Sequence, residues 1–131
     1  MSAQTVAIVQ QAYQAFGRGD IPGVLALLAE PVEWRFIGAK GLPYTGTFTT
    51  RADVGQWFAS VAAVDDVQGF EPREFIDGGE HVTVLGWERT VSRPRGKVFE
   101  TEWVHVFTVR GGGITRFFGI YDTEASAAAR V

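Results

Sequence analysis

The feature that most constrains this chain is its second half. Four strand-like segments follow one another, the first three each closed by a glycine-bearing turn. FEPREFID (70–77) alternates and runs into Gly78-Gly79, and HVTVLGWERTVSR (81–93) runs into Pro94-Arg95-Gly96. KVFETEWVHVFTVR (97–110) ends on three glycines, 111–113, and GITRFFGIYD (113–122) is the last segment. Period-two alternation bounded by tight turns predicts consecutive antiparallel strands. Strands of about a dozen residues cannot stay flat, because each carries a right-handed twist. The sheet is therefore expected to curve, with Gly86 and Gly119 inside strands serving as bends or bulges.

Helices come before this meander. TVAIVQQAYQAFGRGD places Val6, Val9, Ala12, Tyr13 and Phe16 on one helical face, with Gly17 as the expected C-cap. Asp20 reads as the N-cap of a second helix with Pro22 in its first turn and Val24, Leu25 and Leu28 as its stripe, stopped by Pro31. VEWRFIG (32–38) reads as a strand and AKGLPYTGTF (39–48) as a loop. Thr50 and Asp53, in capping-box spacing, open a third helix carrying Val54, Trp57, Phe58 and Val61. TEASAAARV, at the end, reads as a short helix or a frayed end. The expected order is α-α-β-α-β-β-β-β, an α+β fold.

The 131 residues fit one domain, 1–131, long enough to bury roughly two thirds of its unfolded surface without a staple. Apolar residues at 46% and charged residues at 21% place it among globular chains rather than disordered ones. Aromatics at 13% exceed what so short a core needs and point to a wide apolar interior or pocket. There is no cysteine, which excludes disulfides, thiolate nucleophiles and cysteine zinc sites. The N-terminus lacks the basic and apolar regions of a signal peptide, and no apolar run has the length of a membrane span, so the expected location is cytoplasmic. A net charge of −3 with scattered basic residues argues against nucleic acid as a partner. Two histidines, far apart in the strand pattern, make no metal site, and no dinucleotide fingerprint or phosphate loop is present. No cofactor is expected.

YQAFGRGD, LLAEPVEWRF, PYTGTFTTRADVGQWF and EWVHVFTVRGGGITRFFGIYDT resemble the SnoaL-like, ketosteroid isomerase-like branch of the NTF2-like superfamily, over nearly the whole chain. The resemblance implies a cone: three N-terminal helices packed in a strongly curved mixed or antiparallel sheet, with a ligand pocket at the open end and a dimer through the sheet's outer face. It does not carry over two known catalytic sets. The Asp–Arg–Asp positions of limonene-epoxide hydrolase-like enzymes fall on Glu88, Thr90 and Gly119, and the aspartate base of ketosteroid isomerase-like enzymes falls where Trp34 and Phe36 stand. The carboxylate–histidine chemistry of SnoaL-type cyclases stays open.

The same matching places Trp34, Phe36, Trp103, His105, Phe107, Phe117 and Tyr121 inside the cone, and strand alternation agrees: 86/88, 103/105/107 and 117/119/121 step by two. Trp57 from the third helix and Tyr44 from the loop complete the expected ligand wall. His105 reads as a general acid/base, as a donor orienting a ligand carbonyl, or as a structural histidine bonded to a neighbour. Glu88 reads as its catalytic partner at the pocket floor, or as a solvated strand-end carboxylate. Asp122 reads as the cap of the last helix, His81 as exposed in a turn, and Arg35, Arg73 and Arg89 as outer-face charges. Val104, Val106 and Thr108 leave the outer face apolar enough to need cover. The expected partners are a small apolar or aromatic molecule and a second copy of the chain. The functional expectation is a cofactor-independent isomerase, cyclase or hydratase using His105 with Glu88, or else a non-catalytic small-molecule-binding module.

Overall fold

A computed structural model describes residues 2–38, 42, 45–93 and 95–131. Ten elements follow in order: α1 (Ser2–Gly17), α2 (Ile21–Leu25), β1 (Leu28–Phe36), β2 (Gly46–Phe48), α3 (Arg51–Val64), β3 (Asp65–Gly78), β4 (His81–Ser92), β5 (Val98–Arg110), β6 (Gly113–Tyr121) and α4 (Thr123–Ala128). The six strands form one sheet in the order β2-β1-β6-β5-β4-β3. All neighbours are antiparallel except β1 and β6, which run parallel, so the sheet is mixed and its two edges do not meet.

The meander expected from 70 to 122 is present, and the last hairpin shows why its turn is glycine. Gly111 and Gly112 both have left-handed backbones, φ +59° and +79°, which a side chain resists. The first half departs from expectation at three points. The chain leaves α1 through Gly19, at φ +73°, two residues beyond the expected cap at Gly17. Asp20 does cap α2, accepting from the Gly23 amide at 2.9 Å, but that helix stops at Leu25. Leu28 belongs to β1, paired with Ile114 of β6, and Pro31 lies inside the strand at a register break between Leu28 and Glu33. A proline has no amide to give the ladder, so a break is where a strand tolerates it. Non-local pairing thus overrides the helical propensity of LLAE. The short strand β2 occupies part of the expected loop, antiparallel to β1. The expected strand between the second and third helices is present as β1, with β2 added beside it, and the terminal segment forms a fourth helix, α4, after the sheet.

Caps fix the remaining helices. Thr50 Oγ1 accepts from the Asp53 amide at 3.0 Å, and the Arg51 guanidinium donates to the Leu28 carbonyl at 3.0 and 2.8 Å, tying the start of α3 to β1. Asp122 caps α4 as expected, accepting from the Ala125 amide at 3.1 Å.

One core lies between the helices and the inner face of the sheet. Val9 and Ala12 of α1, Trp34 of β1, Val54 and Trp57 of α3, Val82 and Val84 of β4, Trp103 and Phe107 of β5 and Phe117 of β6 are all buried there. The strand glycines serve this packing rather than a bend in their own strand. A Cβ on Gly86 would stand 2.2 Å from the Trp103 ring, and one on Gly119 would stand 2.8 Å from the Phe36 ring. The β4–β5 register runs unbroken through Gly86↔Trp103; the nearby irregularity is in β3, between Pro72 and Glu74.

The Trp103 indole stacks on His105 at 4.0 Å and on Phe70 at 4.8 Å, so it cannot step aside. Gly86→Ala is therefore expected to destabilise the fold by about 1–3 kcal/mol, the range for overpacking. Urea unfolding checks it, and an unchanged midpoint would show that the indole yields freely.

Candidate functional site

The inward residues enclose a cavity of about 110 Å³. One water needs roughly 10–15 Å³ measured the same way, so the space suits a small organic molecule. Its wall is almost entirely aromatic and aliphatic. Phe16 comes from α1, Trp34 and Phe36 from β1, Trp57 and Phe58 from α3, Phe70 from β3, Phe107 from β5, and Phe117 and Tyr121 from β6. Four further titratable groups reach the lining: Tyr13, Asp65, Glu88 and His105.

His105 and Tyr13 form one polar centre. Strand alternation turns His105 inward between Trp103 and Phe107, and the ring is 7% exposed. The helical face of α1 brings Tyr13 over it: the phenol oxygen lies 2.7 Å from His105 Nδ1, and the two rings are within 5° of parallel. Burial lowers the imidazole pKa to about 3, and burial holds the Tyr13 phenol well above its ordinary value. Both groups are thus neutral in ordinary buffers. A buried hydroxyl proton needs an acceptor, and Nδ1 is the acceptor in reach, so Tyr13 donates and the imidazole proton belongs on Nε2. Nε2 has no hydrogen-bond partner among the described residues. Neither does the indole N–H of Trp34, buried in the same wall.

Glu88 belongs to a second polar centre, and it does not pair with His105. In the β4–β5 register His105 stands opposite Val84, and Glu88 stands opposite Thr101. Both acids and bases face inward, but four residues of strand separate their levels, about 13 Å at 3.3 Å per residue. Glu88 instead accepts from Thr90 Oγ1 at 2.6 Å. Burial raises its carboxyl pKa, the Thr90 bond opposes the shift, and the Asp65 carboxylate adds to it. Asp65 in turn faces Arg130, whose Nη1 and Nη2 lie 2.9 and 3.0 Å from its two oxygens. Arg130 Nη2 also donates to Ser126 Oγ, which accepts from Tyr121 as well, each at 3.1 Å. Ser126 of α4 and Arg130 beyond it therefore hold the lining residues Asp65 and Tyr121 in place at this end of the cavity.

Of the residues expected to form the ligand wall, Trp34, Phe36, Trp57, Phe107, Phe117 and Tyr121 line the cavity. Trp103 does not; it is 2% exposed and packed behind the wall against Gly86, Phe70 and His105. Tyr44 lies outside the described residues. Tyr13, Phe70 and Asp65 were not singled out as site residues from sequence. Tyr13 sat on a helical stripe that reads as plain core, and its polar tip was the only signal. On the outer face Arg89 pairs with Glu100, Arg73 with Glu71, and Arg35 lies over the Phe118 ring, while exposed His81 bonds Thr108 Oγ1. Among the described residues no group of three His, Asp or Glu is placed to hold a metal.

Residues 9–117 match the SnoaL-like domain family, and the chain belongs to it. No curated protein matches the sequence. Among solved structures, an NTF2-like protein from Burkholderia xenovorans is 32% identical, covering 98% of this chain and 97% of its own, with a TM-score of 0.89. TerC, co-crystallised with polyporic acid, is 30% identical over 96% of this chain and 97% of its own, with a TM-score of 0.84. A protein of ketosteroid isomerase-like fold from Catenulispora acidiphila, solved with trimethylamine, is 19% identical over 93% and 90% of the two chains, with a TM-score of 0.78, a likeness of fold alone.

The lowered pKa of His105 has a checkable sign. An unfolded histidine titrates near 6.5 and the folded one near 3, so between these values the unfolded chain binds more protons. The stability that this group contributes is complete above pH ~6.5 and is lost as pH falls toward 3, at up to about 1.4 kcal/mol per unit. The His105 ring resonances are expected to stay unshifted from pH 8 to pH 5 by NMR, and His105→Phe is expected to flatten the acid side of the stability profile. A ring midpoint above pH 5 would contradict the burial argument.

Proposed function

Because the chain belongs to the SnoaL-like domain family and its interior is a nearly apolar aromatic cavity, we propose that it binds a flat aromatic carbonyl compound and acts on it as a cofactor-independent isomerase or cyclase. The observation that carries this reading is the neutral His105, with Nδ1 taken up by Tyr13 and Nε2–H left to donate. A neutral imidazole in a largely apolar site polarises a carbonyl oxygen and stabilises the enolate without needing to ionise, while the α-proton passes to a base from solvent. His105 is the catalytic residue in this reading, and Tyr13 positions it by fixing its tautomer and ring plane. Trp34, Phe36, Trp57, Phe107, Phe117 and Tyr121 supply the stacking and apolar walls that select a flat molecule. Glu88 is a polar group of the same cavity at a separate station.

A second reading, a non-catalytic binding module, is favoured by one specific observation. Glu88 is about 13 Å of strand away from His105, so the carboxylate–imidazole pair that would shuttle a proton is not assembled.

Two compounds separate the readings. Polyporic acid, the compound co-crystallised with TerC, is expected to quench the fluorescence of the tryptophans in the cavity wall on binding. His105→Ala is expected to weaken that binding about ten-fold, the cost of one hydrogen bond in a buried site. Unchanged affinity would remove His105 from the contact. The aromatic ketone 2-tetralone in heavy water then reports chemistry: α-deuteration faster than in buffer, and slowed at least about ten-fold in His105→Phe, is the enzyme result. Binding of the ketone with exchange at the buffer rate is the binder result.

We further propose that two copies associate through the outer face of the sheet. Leu85, Val104, Val106, Phe118 and Ile120 sit together at its centre, with Ile120 41% exposed, and no described element of the chain covers them. The flanking pairs Arg89–Glu100 and Arg116–Glu33 supply a polar rim. Light scattering is expected to give a dimer mass for the protein and a monomer mass for the Val106→Glu, Ile120→Glu double variant, with the fold retained by circular dichroism. A monomer mass for the unaltered protein would overturn this.

A further inference from the structure

The two polar centres of the cavity are separated along one face of one strand. Val84, Gly86 and Glu88 alternate inward on β4; His105 stands beside Val84, Trp103 beside Gly86 and Thr101 beside Glu88. Between the two levels the wall is aromatic: Phe70 stacks on Trp103 at 4.8 Å and faces the cavity, and Phe36 packs against Tyr121 at 5.5 Å. At the far level the polar groups have different remaining capacity. Asp65 has both oxygens against Arg130, and the Tyr121 hydroxyl is spent on Ser126. Glu88 has one hydrogen bond, from Thr90 to Oε2, and its other oxygen has no partner among the described residues. Glu88 is half-buried, and its second oxygen is the polar atom at this level left for a ligand that enters the mostly apolar cavity.

We propose that Glu88 is a second anchor, so that the molecule held in the cavity is elongated, with a carbonyl at the His105 end, an aromatic body, and a hydroxyl or amino group that hydrogen-bonds Glu88 at the other. The proposal rests on the reading of the cavity as a small-molecule site. The spacing sets the length: the two backbone levels are about 13 Å apart, and the side chains reach in from each, which matches two linked six-membered rings better than one. The wall sets the character of the body, since Trp34, Phe36, Phe70, Phe107 and Phe117 line the cavity between the two levels with ring surfaces on which an aromatic ligand packs. The carboxyl sets the chemistry of the far end, because an oxygen flanked by Asp65 accepts a hydrogen bond readily and repels another anion.

The probes are 4-acetylbiphenyl and 4-acetyl-4′-hydroxybiphenyl, which differ only in a hydroxyl at the end remote from the carbonyl. Titration calorimetry is expected to show the hydroxylated compound binding about ten-fold tighter to the unaltered protein. Glu88→Leu is expected to erase that difference while leaving 4-acetylbiphenyl within about two-fold of its original affinity, and Glu88→Gln, which keeps a hydrogen-bonding side chain, to preserve part of it. Glu88→Ala is run alongside, so that a folding defect in one truncation does not decide the result. No gain from the hydroxyl in the unaltered protein, or a gain that survives both truncations, overturns the anchor alone. Failure of 4-acetylbiphenyl itself to bind overturns the small-molecule reading of the cavity, and the anchor with it.

Discussion

The parallel pairing of β1 with β6 is the constraint on which the rest of the molecule depends. It joins segments more than eighty residues apart, Leu28 to Ile114, Trp34 to Phe117 and Phe36 to Gly119. Contacts of such separation cost loop-closure entropy before they return anything, so the local hairpins of the meander are the natural scaffold onto which β1 docks. Once β1 is in place, the chain on both sides of it is positioned. The Leu27 carbonyl accepts from the Ile114 amide at 2.9 Å, the Ile37 amide donates to the Gly119 carbonyl at 3.1 Å, and Arg51 at the head of α3 donates to Leu28. The helices are thereby held against the inner face, and the cavity lies where two aromatic-bearing helices and an aromatic-bearing sheet meet.

Large rings pack by stacking and edge contacts at fixed distances, and such contacts leave gaps that aliphatic chains would fill. Trp34 lies on Phe117 at 4.1 Å, Phe36 on Trp57 at 5.4 Å, and Tyr13 touches His105, Trp103, Phe107, Phe70 and Phe75 at once. Within that frame a histidine is expensive to bury charged and tolerable neutral, and the Tyr13 hydroxyl makes it tolerable by using one of its two nitrogens. The same contact rigidifies the ring, since Tyr13 is itself wedged between four aromatic neighbours. Rigidity of this kind is what lets a hydrogen-bond donor wait in the orientation a ligand needs rather than reorganise on binding.

How much of this could be read from residues alone follows the range of each interaction. The meander was legible because alternation and glycine turns are local, and so were the Thr50 and Asp122 caps and the inward stripe of Trp103, His105 and Phe107. Leu28 was misread as helical because its environment is set by Ile114, and no local signal in LLAE reports a strand at the other end of the chain. Gly86 was assigned to a bend because the ring that demands it, on Trp103, arrives from the neighbouring strand. The partner of His105 lay 92 residues away on a helical stripe indistinguishable from ordinary core, whereas Glu88 looked like the partner because alternation fixes facing but not register. Two inward residues on adjacent strands meet only if the pairing aligns them, and here it sets them four residues apart.

That offset limits the chemistry available at the proposed site. A proton relay between two side chains needs hydrogen-bond reach, or one intervening water; here the two residues stand on backbone levels about 13 Å apart, and each side chain is bonded elsewhere, His105 to Tyr13 and Glu88 to Thr90. An imidazole whose pKa is near 3 is a weak base at neutral pH, while its N–H remains an effective donor. Reactions in which the protein must strip a weakly acidic proton therefore fit this cavity poorly. Those in which the substrate carries an already acidic position next to a carbonyl fit it well, because stabilising the developing oxyanion is then enough to lower the barrier. A neutral imidazole donor in a largely aromatic cavity, with the Trp34 indole N–H in the same wall, favours substrates that need little more than orientation and a place for negative charge, which is a narrower class than the fold as a whole allows.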